Sequence, residues 1–273
     1  MRTSNGELLT DVVIDARHEG APDYRRSTTG AAELLWQTFR GRVVELAAPR
    51  FDPGTATLMD FRVPAAGAGL AFAYVLPFTA TRALVEAVVL GHTRASASRL
   101  DHILDVYLEE QFGERGEVLA VEEGVLPMTT RAFVSRATGG SISLGVGGGA
   151  ARSSSGYAFT NMMRAARQTA AALCAGRPLR QPEFAWKYRG LDALFLRLLR
   201  TDPAAARRAF VAMFAKVPPD RLVRFLTEAS SWLDDLALGL ALPKTAFLKT
   251  MLPGRKATAR KSLAVLRQPG AAV

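Results

Sequence analysis

Glu86 is the acidic residue whose setting most clearly suggests chemistry. It stands between Val85 and Ala87 in the run TRALVEAVVL (Thr81–Leu90), a pattern that predicts an apolar strand. Burial of a carboxyl group raises its pKa and keeps it protonated, so a glutamic acid in such a strand could donate a proton. The alternative is a glutamate on the outward face of the strand, where water would solvate it.

A glycine-rich loop in the middle of the chain is the second candidate site. The segment Ser141–Ala175 predicts a short strand, a loop and a helix. The loop carries four glycines: Gly145, Gly147, Gly148 and Gly149. Glycine lets a backbone approach a ligand closely, and free N–H groups at a helix start favour an anion. A tight turn would also explain this spacing, which is not G-x-G-x-x-G. The helix is expected to bury one side: Met162, Met163, Ala166, Ala170 and Leu173.

Composition places the chain among globular proteins. Its 273 residues are 49% hydrophobic and 22% charged, enough for one large domain or two small ones. The single cysteine, Cys174, excludes an internal disulfide, and its alanine-rich helix suggests inert packing. The three histidines lack the spacing of paired metal ligands, so no metal site is expected. The polar start and the glycine-broken apolar run 65–78 predict a soluble or peripheral protein.

The charge is concentrated towards the end of the chain. The net charge is +10, and no acidic residue follows Asp235. Seven basic residues do follow it: Lys244, Lys249, Arg255, Lys256, Arg260, Lys261 and Arg267. Leucines interspersed among them favour binding of residues 249–273 to an anionic membrane surface. Nucleic acid binding would require stacking aromatics, and none follows Phe247. A merely solvated tail is the alternative.

The remaining pattern predicts a sheet followed by helices. Asn5-Gly6 favours a hairpin turn, and Val12–Ile14 reads as a strand buried in a parallel sheet. Further strands are predicted at Leu34–Leu46, Leu70–Phe78, Thr81–Leu90 and Val118–Met128, with a helix at Ser98–Gly113. From Pro182 onwards the apolar spacing is helical.

Several motifs together resemble those of the lycopene cyclase family. The run G-x-x-G-G-x-x-x-S-S-S-G-Y-x-F (Gly145 to Phe159) is similar to the second flavin-contacting motif of that family, with Ser153 and Ser155 in place of its proline and threonine. Asn161 replaces a basic residue of the family. The other matching segments are VVIDAR, QTFRGRVVE, MDFR, EEGVLPM and the C-terminal helices. The resemblance covers nearly the whole chain.

The resemblance implies an α/β fold, specifically a partial FAD/NAD(P)-binding flavoprotein fold with a mixed or antiparallel substrate sheet and C-terminal helices. Residues 1–30 would be a remnant of the dinucleotide-binding domain, and residues 31–135 the substrate-binding sheet with one helix. Residues 136–180 would hold the second flavin-contacting loop, and residues 181–273 the helices and basic tail. The family's G-x-G-x-x-G half is not in this sequence. The chain alone is therefore expected to hold FAD weakly or not at all, and a separate FAD-binding half is a candidate partner.

The resemblance also implies a reaction. Lycopene cyclases protonate the end of a linear polyene, close a β-type ring and release a proton, a net isomerisation assisted by reduced FAD, with NADPH or NADH as reductant. Glu86 matches the first acid of the family's E-E-T or E-D-T group, and Asp60 is a second candidate, for proton transfer or for holding a loop. The residues expected at the flavin are Asp15, Gly145, Gly148, Gly149, Ser154, Gly156 and Tyr157.

Two further expectations concern the aromatic residues near the substrate and the location of the protein in the cell. Aromatic faces attract a carbocation, although strand aromatics usually belong to the core; the candidates are Trp36, Phe39, Phe72 and Tyr74. The expected location is cytoplasmic, peripheral on the inner face of the membrane where lycopene resides. The competing interpretations are a non-catalytic partner or carotenoid-binding fragment, and another isoprenoid-directed flavoprotein.

Overall fold

The computed structural model describes residues 2–3, 6–7, 9–16, 34–64, 67, 69–130, 141–180 and 185–251. The chain up to Ser143 contains all the strands of the described residues. The strands are β1 (Arg2–Thr3), β2 (Gly6–Glu7), β3 (Val13–Asp15), β4 (Leu34–Glu45), β5 (Thr57–Asp60), β6 (Leu70–Pro77), β7 (Arg82–Gly91), β8 (Glu117–Thr129) and β9 (Ser141–Ser143). A single helix, α1 (Ala97–Phe112), lies between β7 and β8.

The chain after β9 is helical, as predicted for the segment after the glycine loop and from Pro182 onwards. A 3₁₀ turn (Val146–Gly148) precedes α2 (Phe159–Cys174), α3 (Trp186–Thr201), α4 (Pro203–Lys216), α5 (Pro219–Leu226), α6 (Trp232–Ala241) and α7 (Lys244–Met251). Proline at the start of α4 and α5 suits the first helical turn, where no backbone N–H is needed. No helix in the described part of the chain is long and apolar enough to cross a membrane.

A five-stranded antiparallel sheet, in the order β5-β6-β7-β4-β8, is the centre of the fold. One face packs on α1, and its core includes Val44, Ala73 and Val85. We call it the α1 face. Helix α1 begins where Ser96 accepts a hydrogen bond from the Arg99 N–H and ends at Gly113, whose φ of 80° only glycine adopts readily. The prediction of this helix is confirmed.

The other face of the sheet packs against the C-terminal helices, and we call it the helical face. Because side chains alternate along a strand, it receives the residues that the α1 face does not. Leu35, Phe72, Val88, Leu90 and Met128 form one core with residues of α3 to α6. The predicted mixed α/β class, with an antiparallel sheet and C-terminal helices, is therefore confirmed.

The start of the chain follows the prediction in pairing but not in burial. Strands β1 and β2 form the expected antiparallel hairpin, and β3 pairs in parallel with β9. However, Ile14 in the middle of β3 is 47% exposed, so the prediction of a buried strand is wrong. Strand β3 belongs to a sheet of two strands, and no second layer in the described residues covers that side chain.

Helix α2 buries a different side from the one predicted. Met162, Met163 and Leu173 are each more than 40% exposed, and the buried positions are Asn161, Ala165 and Thr169. The Asn161 amide donates to the Ala150 carbonyl and to the Glu228 carboxylate, and these bonds turn a polar residue inward. Cys174, at the end of this helix, is exposed, so its predicted packing is also wrong.

Candidate functional site

Four aligned positions cross the helical face of the sheet. Glu86 on β7 lies beside Tyr74 on β6 and beside Gly41 on β4, and Gly41 lies beside Glu122 on β8. Neighbouring residues in such a row point to the same side of a sheet. The row therefore brings two carboxyl groups together on either side of a glycine.

The missing side chain of Gly41 provides the space in which these carboxyl groups meet. A Cβ atom added to Gly41 would lie 3.0 Å from Glu122 Cγ and 3.1 Å from Glu122 Oε1. Glu122 thus lies across Gly41, close enough to Glu86 for its charge and hydrogen bonding to raise the pKa of the Glu86 carboxyl. A residue with a side chain at position 41 would separate the two.

The electrostatic setting keeps a proton on this pair near neutral pH. Burial, followed by the negative charge of Glu122 and the hydrogen bond to it, raises the pKa of Glu86 to about 7. Burial and the charge of Glu86 raise the pKa of Tyr74 to about 12, so its phenol stays neutral. Glu86 is half-buried whereas Glu122 is exposed, so the pair can exchange a proton with solvent.

Sequence reasoning did not identify Glu122. It lies in the segment EEGVLPM, which the sequence marks only as a family motif within the predicted strand Val118–Met128. The neighbouring Glu123 points to the other face, where it pairs with Arg40. Only the pairing of β8 with β4 shows which of these two glutamates faces Glu86.

Aromatic residues border the carboxyl pair on the helical face. The Phe72 and Tyr74 rings meet edge to face with centroids 5.2 Å apart. Phe39 lies over Gly124, where an added Cβ would be 2.3 Å from its ring. Trp36, however, points to the α1 face, where the Arg94 guanidinium lies 4.3 Å from its ring centroid. Three of the four candidate aromatics thus share the face of Glu86.

Asp60 is on the α1 face, away from Glu86. It accepts hydrogen bonds from the Tyr107 hydroxyl at 2.8 Å, from the Arg62 guanidinium and from the Arg62 backbone N–H at 2.9 Å. Burial favours a raised pKa, but the bonds from Arg62 and Tyr107 outweigh it and hold the pKa of Asp60 below its usual range. Of the two roles predicted for Asp60, these contacts match the holding of a loop.

The first half of the glycine loop meets the end of β3. The Leu144 N–H donates to the Asp15 carbonyl at 2.9 Å. Gly145 has φ 66° and ψ −149°, a conformation essentially restricted to glycine. The N–H of Gly147, a buried residue, has no acceptor among the described residues. An acceptor oxygen such as that of a flavin ring therefore fits this turn.

The second half of the loop is bonded to the protein itself. Gly156 has φ 72°, and a Cβ there would lie 2.5 Å from Gln37 Oε1, so the loop packs tightly on β4. The Ser154 hydroxyl donates to Asp192 at 2.7 Å, and the Tyr157 hydroxyl is bonded to Thr160. The structure thus groups Asp15, Gly145, Gly148 and Gly149, and places Ser154, Gly156 and Tyr157 further along the loop.

Arg152 ties this loop to the C-terminal helices, and sequence reasoning missed it. Its buried guanidinium donates to both carboxylate oxygens of Asp192 on α3 and to the Phe225 carbonyl on α5. The Tyr188 and Phe225 rings lie within 5.2 Å of it. No signal in the sequence distinguishes this arginine from the chain's many others. Among the described residues, no cluster of histidine, cysteine and acidic side chains could hold a metal ion.

A family model described as lycopene cyclase protein matches residues 2–252. The chain belongs to the lycopene cyclase family. The resemblance seen in its motifs is thereby confirmed. A search of curated proteins gives no significant match.

Solved structures of other proteins are similar over part of their length. A geranylgeranyl bacteriochlorophyll reductase-like protein from Thermoplasma acidophilum aligns at 15% identity and TM-score 0.42, over 88% of this chain and 58% of that one. BrvH, a flavin-dependent halogenase from Brevundimonas sp. BAL3, aligns at 15% identity and TM-score 0.34, over 91% of this chain and 45% of that one. The tetracycline destructase Tet(51) aligns at 12% identity and TM-score 0.40, over 88% of this chain and 65% of that one. The chain thus spans 45–65% of these solved chains.

Proposed function

We propose that this protein is a lycopene cyclase that closes β-type rings at the ends of a linear polyene, with Glu86 as the acid. The observation that carries the proposal is the Glu86–Glu122 pair, which is held across Gly41 on an apolar face of the sheet. A carboxylic acid that stays protonated near neutral pH is what protonation of an unactivated double bond requires.

The proton that Glu86 donates at the start of this reaction is replaced at its end by a proton from the ring. Glu86 donates its proton to the terminal double bond, whose electrons form the new C–H bond and leave a tertiary cation. A nearby double bond attacks the cation and closes the ring. Loss of a ring proton to the carboxylate pair then restores a double bond, so the product is an isomer of the substrate. The pair ends with the one proton it began with.

The surroundings of the pair support this chemistry. Phe39 and Tyr74 flank it and pack on the apolar core, which excludes water from that side. Their ring faces attract the positive charge that develops on the substrate. A neutral Tyr74 phenol does not compete with Glu86 as a base.

The glycine loop fits the flavin expected of the family. The backbone N–H groups of Val146 and Gly147 would hold it, and Gly145 allows the chain to turn towards it. When bound in reduced form, FAD supplies an electron-rich ring that stabilises positive charge. NADPH or NADH as the reductant, and action at the cytoplasmic face of a membrane, are parts of the proposal.

The test is product analysis in cells that accumulate lycopene. The chain is expressed alone and together with an FAD-binding half from the same family, and the carotenoids are separated by chromatography. We expect cyclic product, and Glu86→Gln should lower its rate by about 100-fold or more because the amide donates no acidic proton.

Glu123→Gln is the matched control, since Glu123 lies on the opposite face and should leave the rate unchanged. Near-normal cyclisation by Glu86→Gln would contradict the assignment of the acid. If the wild-type chain leaves lycopene linear in both settings, the cyclase proposal fails. Co-purification of linear polyene would then favour a carotenoid-binding role, and a different product another isoprenoid-directed activity.

A further inference from the structure

A cavity of about 310 Å³ lies among the C-terminal helices, next to the glycine loop. All five helices from α3 to α7 contribute to its wall. Its apolar lining includes Leu194, Phe195, Phe210, Met213, Phe225 and Leu238. A volume of this size suits a small organic ligand or a segment of a longer one.

The buried polar groups on the wall of this cavity are already bonded to each other. Arg152 donates to Asp192 and to the Phe225 carbonyl, and the Ser154 hydroxyl donates to Asp192. A ligand with a polar group would lose its bonds to water here and gain few in exchange. Lys244, which is exposed, is the charged residue at the edge of the lining, so the interior of the cavity favours a hydrocarbon segment.

The cavity is joined to the carboxyl pair by continuous apolar packing. Phe210, Phe225 and Leu238 belong to the same core cluster as Val88, which lies two residues from Glu86 on β7. Phe39 and Tyr74, the neighbours of the pair, pack against that cluster. The cavity and the carboxyl pair therefore border the same apolar core, and a hydrocarbon chain that contacts both would lie against apolar side chains.

We infer that this cavity binds a segment of the polyene chain away from the end that is protonated. The inference rests on the proposed function only for the identity of the hydrocarbon. It assigns the C-terminal helices a binding role, so they would do more than support the sheet.

Gly239 on α6 allows the cavity to be blocked without disturbing the core. It lines the cavity, and no atom lies within 4 Å of an added Cβ. We therefore choose Gly239→Phe as the blocking variant and Gly239→Ala as the control for helix propensity. Gly190→Phe is the matched control, because Gly190 is also helical with open space around it and does not line the cavity.

The probe is diphenylhexatriene, a polyene hydrocarbon that fluoresces when bound in an apolar site. We expect saturable binding that Gly239→Phe weakens by about tenfold or more, and that both controls leave unchanged. No saturable binding, or equal binding by Gly239→Phe and wild type, would overturn the inference. Binding that appears only after removal of residues 252–273 would also overturn it, since the chain's own end would then fill the cavity.

This readout is independent of catalysis. Loss of cyclisation in Glu86→Gln with unchanged binding of the probe would separate the acid from the cavity. Binding of the probe by a chain that never cyclises lycopene would leave the cavity assigned and would refute the proposed reaction.

A second observation carries an inference of its own, on the outer side of α6. Trp232, Leu236 and Leu240 are 72%, 51% and 61% exposed, and their spacing of four residues places them in one stripe along the helix. Leu233 beside them is also exposed. Large apolar side chains grouped in this way are typical of a contact surface.

The charges around the stripe favour an anionic partner. Both acids of α6 are paired: Asp234 with Arg224 at 2.8 Å, and Asp235 with Lys187 at 2.8 Å. The chain that continues from α6 is basic, since seven basic residues and no acidic residue follow Asp235. The same helix lines the cavity on its other side, so a lipid surface against the stripe would lie beside the cavity.

We infer that the stripe on α6 docks on an anionic lipid surface, with its tryptophan and leucines at the level of the head groups. The sequence alone assigned this contact to residues 249–273. The structure adds a folded element with apolar side chains already exposed.

Sedimentation with vesicles tests the stripe. The full chain is mixed with phosphatidylcholine vesicles, with and without phosphatidylglycerol, at low and high salt. We expect binding to the anionic vesicles, and the triple variant Trp232→Ser, Leu236→Ser, Leu240→Ser should weaken it by about tenfold or more. Val118→Ser with Val121→Ser, on the exposed part of β8, is the control and should bind as the wild type does. No binding by the wild type, or equal binding by the triple variant, would overturn the inference.

Discussion

The carboxyl groups on the two faces of the central sheet have opposite kinds of partner. On the α1 face, Arg40 and Arg42 meet Asp101, and Arg42 also meets Asp105. On the helical face, Glu86 and Glu122 meet each other, and neither forms an ion pair within the described residues. Pairing with arginine keeps a carboxylate ionised, whereas pairing with a second carboxyl group holds a proton. The same sheet can therefore carry a structural network and a proton donor.

A substitution at Gly41 should have the largest effect, because it would separate the two carboxyl groups of the helical face. In Gly41→Val a side chain would enter the space that Glu122 occupies and separate the acids. We expect ring formation to fall by about 100-fold, since a small displacement of a catalytic group has effects of this size. Gly54→Val, in an exposed turn, is the control, and chromatography of the carotenoids is the measurement. Unchanged activity in Gly41→Val would show that the contact between the acids is not required.

The pH dependence of ring formation tests whether Glu86 acts in its protonated form. Because Glu86 must be protonated, ring formation should fall by about tenfold per pH unit as the pH rises beyond about 7. Glu122→Gln removes the neighbouring charge but not the burial, so it should move the fall only part of the way towards lower pH. Rates measured across the pH range check this. A profile that rises through pH 7 would contradict a protonated acid.

Asp60→Asn tests the other face. It weakens the bonds to Arg62 and Tyr107, so we expect the free energy of unfolding to drop by about 1–3 kcal/mol. The wild-type advantage should vanish at acid pH, because a carboxylate with a lowered pKa contributes stability that is lost as it becomes protonated. Denaturant unfolding at two pH values measures both effects. Loss of cyclisation in a folded Asp60→Asn variant would indicate that Asp60 is the proton donor.

The smallest expected effect is a gain in stability. The raised pKa of Glu86 means that the folded state favours the protonated form, so stability falls between pH 4.5 and about 7 as the proton is lost. Glu86→Gln carries no charge, so at pH 8 it should exceed the wild type by about 1–2 kcal/mol, the full shift being reduced by partial exposure. Unfolding curves at pH 8 measure the difference. An equally stable or less stable variant would show that Glu86 is not disfavoured as an anion.

Local patterns predicted most elements but few of their contacts. The strands and α1 could be found because each shows its own periodicity and end signals, such as Gly113. The inward side of α2 could not, because Asn161 is drawn in by partners from distant segments. The same is true of the site: Glu86 stands out in its strand, whereas Glu122 is defined only by pairing across β4.

The adjacent glutamates Glu122 and Glu123 give β8 an unusual tolerance. A strand that slips by one residue against its neighbour turns every side chain to the opposite face. Here a slip that places Glu123 opposite Gly41 would place Glu122 opposite Arg42, so a carboxyl group would still lie beside Glu86 and the other would face an arginine of the α1 face. The repeated residue thus gives the sheet a second copy of its acid for a slip in this direction, in which packing would be lost but the carboxyl pair would be kept.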